Sequence, residues 1–341
     1  MSQNQVTVIA EIGVNHNGDI ELAKRIVDEF VNSGADYLKF QTGTPELILL
    51  DSAPKAKYQE DFTGKDTSAM EMIKSIVLTM DQYREMHDYV KSVGGKFLST
   101  AFDLPSVSFL HDLGLRLFKV PSGEITNLPY LKKISQVAEE IIISTGMSTL
   151  SEVELAIETL EKNGIPRGKI TVLQCNTAYP SPLEDTNLLA MVKMGEYFGT
   201  KFGYSDHTEG STASLAAVSM GATVIEKHVT VDRTLPGPDQ HASMEPTEFK
   251  TMVKQIREIG LVMGNPDKKP TDSEKMNKHV ARRGVYFSRA IESGQQINEN
   301  DLICLRPENG FSPMDIEEII GSKLNVQVEK FSSVNISLFT Q

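Results

Sequence analysis

The stretches GYSDHT, residues 203 to 208, and IEKHVT, residues 225 to 230, each end a short apolar run on a histidine. Two imidazoles such as His207 and His228, with Asp206, Glu226 and Asp239 as nearby oxygen donors or supports, suit a divalent ion acting as a Lewis acid on a carbonyl oxygen. Mn²⁺, Co²⁺, Fe²⁺ and Zn²⁺ all tolerate that donor set. No H-x-x-x-H joins the pair, and a lone histidine at a strand end also serves as a hydrogen-bonded structural residue, so spacing leaves both readings open. Lys39 in KFQT and Lys119 in FKVPSGE suggest a second chemistry. Lysines supply point charges, and Ser99, Thr100, Ser122, Ser144, Thr145 and Ser205 supply donors, a combination suited to a multiply charged anion such as a phosphorylated carboxylate. The plainer alternative is a lysine that pairs with Glu11 or Glu124. His16 is a separate candidate, whereas His87, His111, His241 and His279 fall on helix or loop positions.

These side chains are scattered over the chain, so some framework must bring them together. Eight short β-branched or aromatic runs predict strands at 6–13, 36–42, 96–102, 116–122, 140–146, 169–176, 201–207 and 223–230. Helical stretches separate them. In the first, Asp19 is a candidate N-cap, Leu22, Ala23, Ile26, Val27 and Phe30 form one apolar stripe, and Gly34 suits a left-handed stop. The last, 246–262, carries Phe249, Met252, Val253, Ile256 and Ile259 on one face. Eight β/α units predict a (β/α)₈ TIM barrel, and no G-x-G-x-x-G follows the first strand to support a doubly wound sheet. In such a barrel the C-terminal strand ends converge on the active-site face. Each predicted end is polar: Glu11 with Asn15 and His16, Lys39 and Gln41, Ser99 and Thr100, Lys119 with Ser122 and Glu124, Ser144 and Thr145, Asn176 with Thr177 and Tyr179, Ser205 with Asp206 and His207, and Glu226 with His228.

Two segments break the spacing. Residues 43–79 sit where a short loop would suffice, carry a candidate helix near 68–78, and could form a lid. Residues 264–280 are polar with two prolines and read as a linker, which divides the chain into a barrel at 1–263 and a small loop-rich domain at 281–341. The 341 residues are 40% hydrophobic and 23% charged, as in soluble globular proteins. A net charge of −12 argues against nucleic acid as a partner. The opening residues lack an export signal, no apolar run reaches membrane-spanning length, and two cysteines offer no disulfide framework, so a cytoplasmic location is expected.

In order along the chain, AEIGVNHNGD, KFQT, FLSTAFD, FKVPSGE, ISTGM, YPSP, GYSDHT, IEKHVT and GPDQHAS resemble the motifs of the sialic acid synthase family. LRPENGFSP and its surroundings resemble the antifreeze-like (SAF) domain that ends those enzymes. The resemblance implies condensation of phosphoenolpyruvate with an N-acetylated mannosamine-type sugar to give a nine-carbon 2-keto acid and phosphate. It also implies a divalent metal, usually Mn²⁺ with Mg²⁺ or Co²⁺ possible, and a domain-swapped homodimer. Carried over by motif, His207 and His228 bind metal, and Lys39, Thr100, Lys119, Ser122, Ser144 and Ser205 hold phosphoenolpyruvate. Glu11, Gln41, Glu124, Tyr179 and Asp239 face the sugar or the reacting centre, and Arg306 reaches across the dimer to the acetamido group. Family members with CTN after the sixth strand use that Asn for phosphoenolpyruvate. Here the order is Cys175, Asn176, Thr177, and strand alternation puts Thr177 on the face of Tyr179, so either Asn176 or Thr177 could serve.

PSGEITNLPYL is closest to the branch that takes 2,4-diacetamido-2,4,6-trideoxymannose and makes N,N'-diacetyllegionaminate, with N-acetylmannosamine as the near alternative. A synthase of other 3-deoxy-2-keto sugar acids would want a further basic cluster, for which Arg282, Arg283 and Arg306 are the candidates. A non-catalytic saccharide binder would have no need of the Lys, Glu and His set together.

Overall fold

Runs such as TVIAEIG and FLSTA are buried on both faces, the pattern of parallel strands covered by the barrel interior on one side and by helices on the other. In the computed structural model, which describes residues 6–340, eight of them are β1 Thr7–Gly13, β2 Tyr37–Thr42, β3 Phe97–Ala101, β4 Leu117–Val120, β5 Glu140–Ser144, β6 Ile170–Cys175, β7 Lys201–Asp206 and β8 Val224–His228. They close in chain order into one parallel barrel, with β8 paired to β1. The helices are α1 Ile20–Val31, α2 Pro45–Ile48, α3 Lys57–Thr63, α4 Ala69–Ile76, α5 Met80–Ser92, α6 Leu104–Asp112, α7 Leu128–Ser135, α8 Leu150–Lys162, α9 Leu188–Phe198, α10 Thr212–Ser219 and α11 Pro246–Val262.

Local sequence explains where these elements begin and which face they bury. Asp19 caps α1 by accepting from the backbone N–H groups of Glu21 and Leu22, and the helix buries Ala23, Ile26, Val27 and Phe30. Phe30 meets Phe249 of α11 edge to face at 5.4 Å, which ties the first and last helices of the barrel together. Helices α2, α3 and α4 occupy the stretch between β2 and α5, so the insertion expected over 43–79 is itself largely helical.

The chain divides into two compact units, one ending at Gly264 and the other starting at Asn265. The second unit holds an antiparallel pair, β9 Gly284–Phe287 with β10 Leu302–Leu305, over its own core of Val285, Phe287, Ile291, Ile297 and Leu324. The segment read as linker contains a helix, α12 Asp272–Ala281, whose Glu274 carboxylate accepts from the Thr271 N–H and hydroxyl. That helix buries no residue, so it left no apolar stripe to read, although the T-x-x-E box at 271–274 was a usable signal. Among the described residues no helix is long and apolar enough to cross a membrane.

Candidate active site

Barrel register sets the candidate residues side by side. Glu11 of β1 is paired with Lys39 of β2 on one side and His228 of β8 on the other. Gln41 is level with Thr100, Thr100 with Lys119, and Ser205 with Glu226. Paired residues on neighbouring parallel strands point to the same face, so these positions, one or two per strand, assemble most of the site. Its cavity encloses about 470 Å³. Gly13 makes room at the rim. Its φ is +56°, and a Cβ there would lie 3.2 to 3.3 Å from Gln41 Nε2, Glu11 Oε1 and His228 Cε1.

Two lysines and two carboxylates, all buried, form the floor. Lys39 Nζ is 2.8 Å from Glu11 Oε2, 3.6 Å from Glu226 Oε2 and 2.9 Å from Thr100 Oγ1. Lys119 Nζ donates to Ser144 Oγ at 2.5 Å and lies 3.3 Å from Glu226 Oε1, which also accepts from Ser205 Oγ at 2.9 Å. Gln41 Nε2 donates to Glu11 Oε1 at 3.0 Å. Burial would lower both ammonium groups. For Lys39 the paired Glu11 and Glu226 outweigh it and its pKa rises, whereas Lys119, with Glu226 to help and Lys39 to oppose, falls below the ordinary lysine value. Burial would raise Glu226, but Lys119 and Lys39 hold it below the usual carboxylate range. Glu11 goes the other way, pushed up by burial against the pull of Lys39. Glu226 thus occupies the gap between two cations that an anionic ligand would claim.

His207 and His228 stand beside this floor with ring centroids 5.4 Å apart. His207 Nδ1 is 2.5 Å from the carbonyl oxygen of Asn176, so in the neutral ring Nδ1 carries the proton and Nε2 the lone pair. Burial lowers His207 to about 4, and burial reinforced by His207 lowers His228 well below the ordinary value. Both rings are therefore neutral near pH 7. His228 Nδ1 is buried with no hydrogen-bond partner, and Asp239 Oδ2 lies 3.8 Å away. Burial, then Glu11, raises Asp239 to about 7. Two neutral imidazoles, one with an unclaimed buried nitrogen, fit a metal ion. Among the described residues no group of three or more His, Cys, Asp or Glu side chains converges as a ligand set, so water or substrate would complete the coordination.

Tyr179 stacks on His207 at 4.1 Å and meets His228 edge-on at 5.6 Å. On its other side Tyr58 of α3 stacks at 5.0 Å, and Phe62 of α3 lies 5.0 Å from His241. Sequence reading missed Tyr58, because a tyrosine in an irregular insertion carries no periodic signal.

Of the predicted site residues, Glu11, Lys39, Gln41, Thr100, Lys119 and Ser122 line the cavity. Ser144, Tyr179, Ser205, His207, His228 and Asp239 line it as well. Three do not. Glu124 lies in a short turn after β4, where its Oε2 accepts from Asn127 Nδ2 at 2.5 Å. Asn176 Oδ1 accepts from the Ala178 N–H at 2.7 Å, and of the two alternatives at this turn Thr177 is the one that lines the cavity. Arg306 belongs to the second unit. Glu226, weighed from sequence as a metal ligand, instead bridges the two lysines. Asp206, weighed with it, is bound to Lys227 outside the cavity lining.

A closed (β/α)₈ barrel with buried lysines, hydroxyls and two neutral imidazoles at its strand ends, followed by a small β-rich unit, defines a two-unit barrel enzyme. The model of the NeuB family matches residues 26–268 and that of the SAF domain residues 282–330. The chain belongs to the NeuB family. It is 46% identical over 314 residues to the N,N'-diacetyllegionaminic acid synthase of Campylobacter jejuni subsp. jejuni serotype O:2, covering 92% of this chain and 94% of the relative. To the enzyme of the same name from Legionella pneumophila it is 42% identical over 324 residues, 94% of this chain and 91% of the relative. Among solved structures, the N-acetylneuraminic acid (sialic acid) synthetase of Leptospira borgpetersenii, in complex with citrate, superposes with a TM-score of 0.70 at 31% identity, covering 81% of this chain and 90% of that one.

Proposed function

We propose that the chain is a nonulosonic acid synthase that joins phosphoenolpyruvate to the open-chain form of an N-acetylated mannosamine-type sugar. The observation that carries this reading is the floor of the cavity, where Lys39 and Lys119 flank Thr100 and reach Ser144, one step from two neutral imidazoles. The names of the relatives support it.

In the reaction, C3 of phosphoenolpyruvate forms a bond to the aldehyde carbon of the sugar, water adds at C2, and phosphate departs. Lys39, Lys119, Thr100, Ser122, Ser144 and Ser205 hold the carboxylate and phosphate, which displace Glu226 as counter-charge to the lysines. Glu11, fixed by Lys39 and Gln41, opposes the positive charge that develops at C2 and orients the incoming water. Tyr179 and Asp239 face the sugar. A divalent ion held by His207 and His228, in our reading Mn²⁺ with Mg²⁺ or Co²⁺ as substitutes, would supply Lewis-acid polarisation of the sugar carbonyl. Glu124, outside the cavity lining and bonded to Asn127 in the free protein, is kept in the same reading as a second carboxylate to be brought to the reacting centre. The same reading includes a homodimer in which Arg306 of one subunit contacts the sugar acetamido group in the other, and a barrel at 1–263 joined by 264–280 to the small domain.

The test is phosphate release on mixing the protein with phosphoenolpyruvate and such a sugar, and no release with any of them would overturn the reading. EDTA should stop the reaction and Mn²⁺ restore it; a full rate after chelation would remove His207 and His228 from the chemistry. In the same assay Glu124→Gln should slow turnover, and Arg306→Ala should raise KM for the sugar. Unchanged values would remove each from its role.

A further inference from the structure

We propose that Asn15, in the loop after β1, is a positioning residue for the acceptor: with Ser243 and Gln240 it fixes the backbone that carries Asp239, the carboxyl group facing the sugar. The inference rests on the synthase reading above. Asn15 is fully buried and lies outside the cavity lining, so it reaches no substrate itself. What it reaches is the connection from β8 to α11. Residues 229–245 form that connection, closed at its base by one isolated bridge between Val229 and Met244. Asp239 lies inside it. Among the described residues its carboxylate accepts no hydrogen bond, and its ion-pair partner, His228 Nδ1, is 3.8 Å away. The side chain is short, so its aim is set by where the backbone is held.

The bonds that hold it converge on the loop after β1. Asn15 Nδ2 donates to Ser243 Oγ at 2.8 Å, and Ser243 Oγ donates in turn to the Asp239 carbonyl at 2.7 Å. The same Nδ2 donates to the Val229 carbonyl at 2.9 Å, so one amide uses both of its N–H groups to tie the start of the connection to its far side. A carbonyl can only accept, which settles the orientation of the amide. From the other direction, Gln240 Nε2 donates to the Asn15 carbonyl at 2.8 Å, while its Oε1 accepts from the Thr230 hydroxyl. Asn15, Thr230, Gln240 and Ser243 are each no more than 2% exposed, so water cannot replace a bond that is lost. Asn17 adds a neighbouring tie by donating from Nδ2 to the Pro236 carbonyl at 2.7 Å. Gly237 lets the two loops close. Its φ is +143°, and a Cβ there would lie 2.8 Å from Asn17 Oδ1. The side chains proposed to hold phosphoenolpyruvate share no hydrogen bond with this clamp: Lys39 bonds Thr100, Lys119 bonds Ser144, and Ser205 bonds Glu226. Loosening the clamp should therefore be felt by the sugar and not by phosphoenolpyruvate.

Steady-state phosphate release by the full chain, with 2,4-diacetamido-2,4,6-trideoxymannose and N-acetylmannosamine as acceptors, separates KM for the sugar from KM for phosphoenolpyruvate. Asn15→Ala should raise KM for the better acceptor about tenfold, since a misplacement of about 1 Å suffices for a loss of that order or more. Ser243→Ala, which removes one oxygen, should raise it less, and both should leave KM for phosphoenolpyruvate unchanged. Ser243→Thr and Ser243→Val have the same shape, and only the first keeps the hydroxyl, so Thr should bind the sugar more tightly than Val. A role in folding alone would lower the amount of active enzyme and move neither KM. Unchanged KM for the sugar, a parallel rise in both KM values, or equal values for Thr and Val would each overturn the inference and leave the synthase reading standing. Should Asn15→Ala fail to fold, the Ser243 variants decide. No phosphate release by the unaltered protein with either sugar would end both.

Discussion

Lys227 and Asp206 precede the two histidines in sequence, and both are fully buried with Nζ and Oδ2 3.1 Å apart. Alternation along a strand sends them to the opposite face from His207 and His228. Asp206 is saturated there, accepting from the Thr208 N–H at 2.8 Å, the Thr208 hydroxyl at 2.7 Å and the Ser214 hydroxyl at 2.6 Å, while Lys227 also donates to the Thr208 carbonyl. Removing one partner of a buried pair costs about 3–5 kcal/mol because the other charge is left behind. Lys227→Met should fall near the lower figure, since three donors still face Asp206, and pairing it with Asp206→Asn should recover part of the loss. Denaturant unfolding measures both; a single substitution that costs nothing would show that the pair does not hold the ends of β7 and β8 together. The same alternation explains what could be read residue by residue. Ser205 and His207, or Glu226 and His228, stand two apart and share the cavity, whereas Asp206, weighed from sequence as an oxygen donor, stands one position off and turns to the other face. Glu124 and Asn176 lie just past their strands, where a turn replaces the period of two and a side chain is free to bond its own loop.

Strands and barrel helices were legible because burial imposes a period on them. All eight predicted strands fall within two residues of those observed, and 246–262 matches α11 end to end. The insertion obeys no such constraint, so α3 and its Tyr58 went unread while α4, amphipathic and capped by Ser68, was anticipated. What seats α4 is a glycine in the loop after β1. Gly18 has φ +71°, and a Cβ there would lie 2.7 Å from the backbone oxygen of Ser75 in α4. Gly18→Ala should therefore act twice, through about 1–2 kcal/mol for a non-glycine residue in the left-handed region and through a clash that backbone atoms cannot evade by changing rotamer. The expected outcome is faster limited proteolysis within 43–79 than elsewhere in the barrel, with a raised KM for the sugar. Uniform cleavage kinetics with unchanged KM would mean that the insertion is seated by its own contacts alone.

At the scale of the whole molecule, a net charge of −12 opposes the approach of the proposed trianionic substrate. The two cavity lysines do not reverse that field at a distance, because Glu11 and Glu226 match them charge for charge before any anion arrives. Attraction begins only when phosphate reaches Lys39 and Lys119 and replaces Glu226, at contact range and out of water, where salt screens little. Long-range repulsion and short-range capture should therefore separate in a salt series. Between about 0.01 and 0.15 M ionic strength the Debye length falls from about 30 to 8 Å. Over that interval the association rate of phosphoenolpyruvate should rise several-fold as the repulsion is screened, while its dissociation rate changes little. Stopped-flow binding checks both. An association rate that falls with added salt would mean instead that the lysines project a net attractive field through the cavity mouth, and hence that Glu11 or Glu226 is protonated in the free protein.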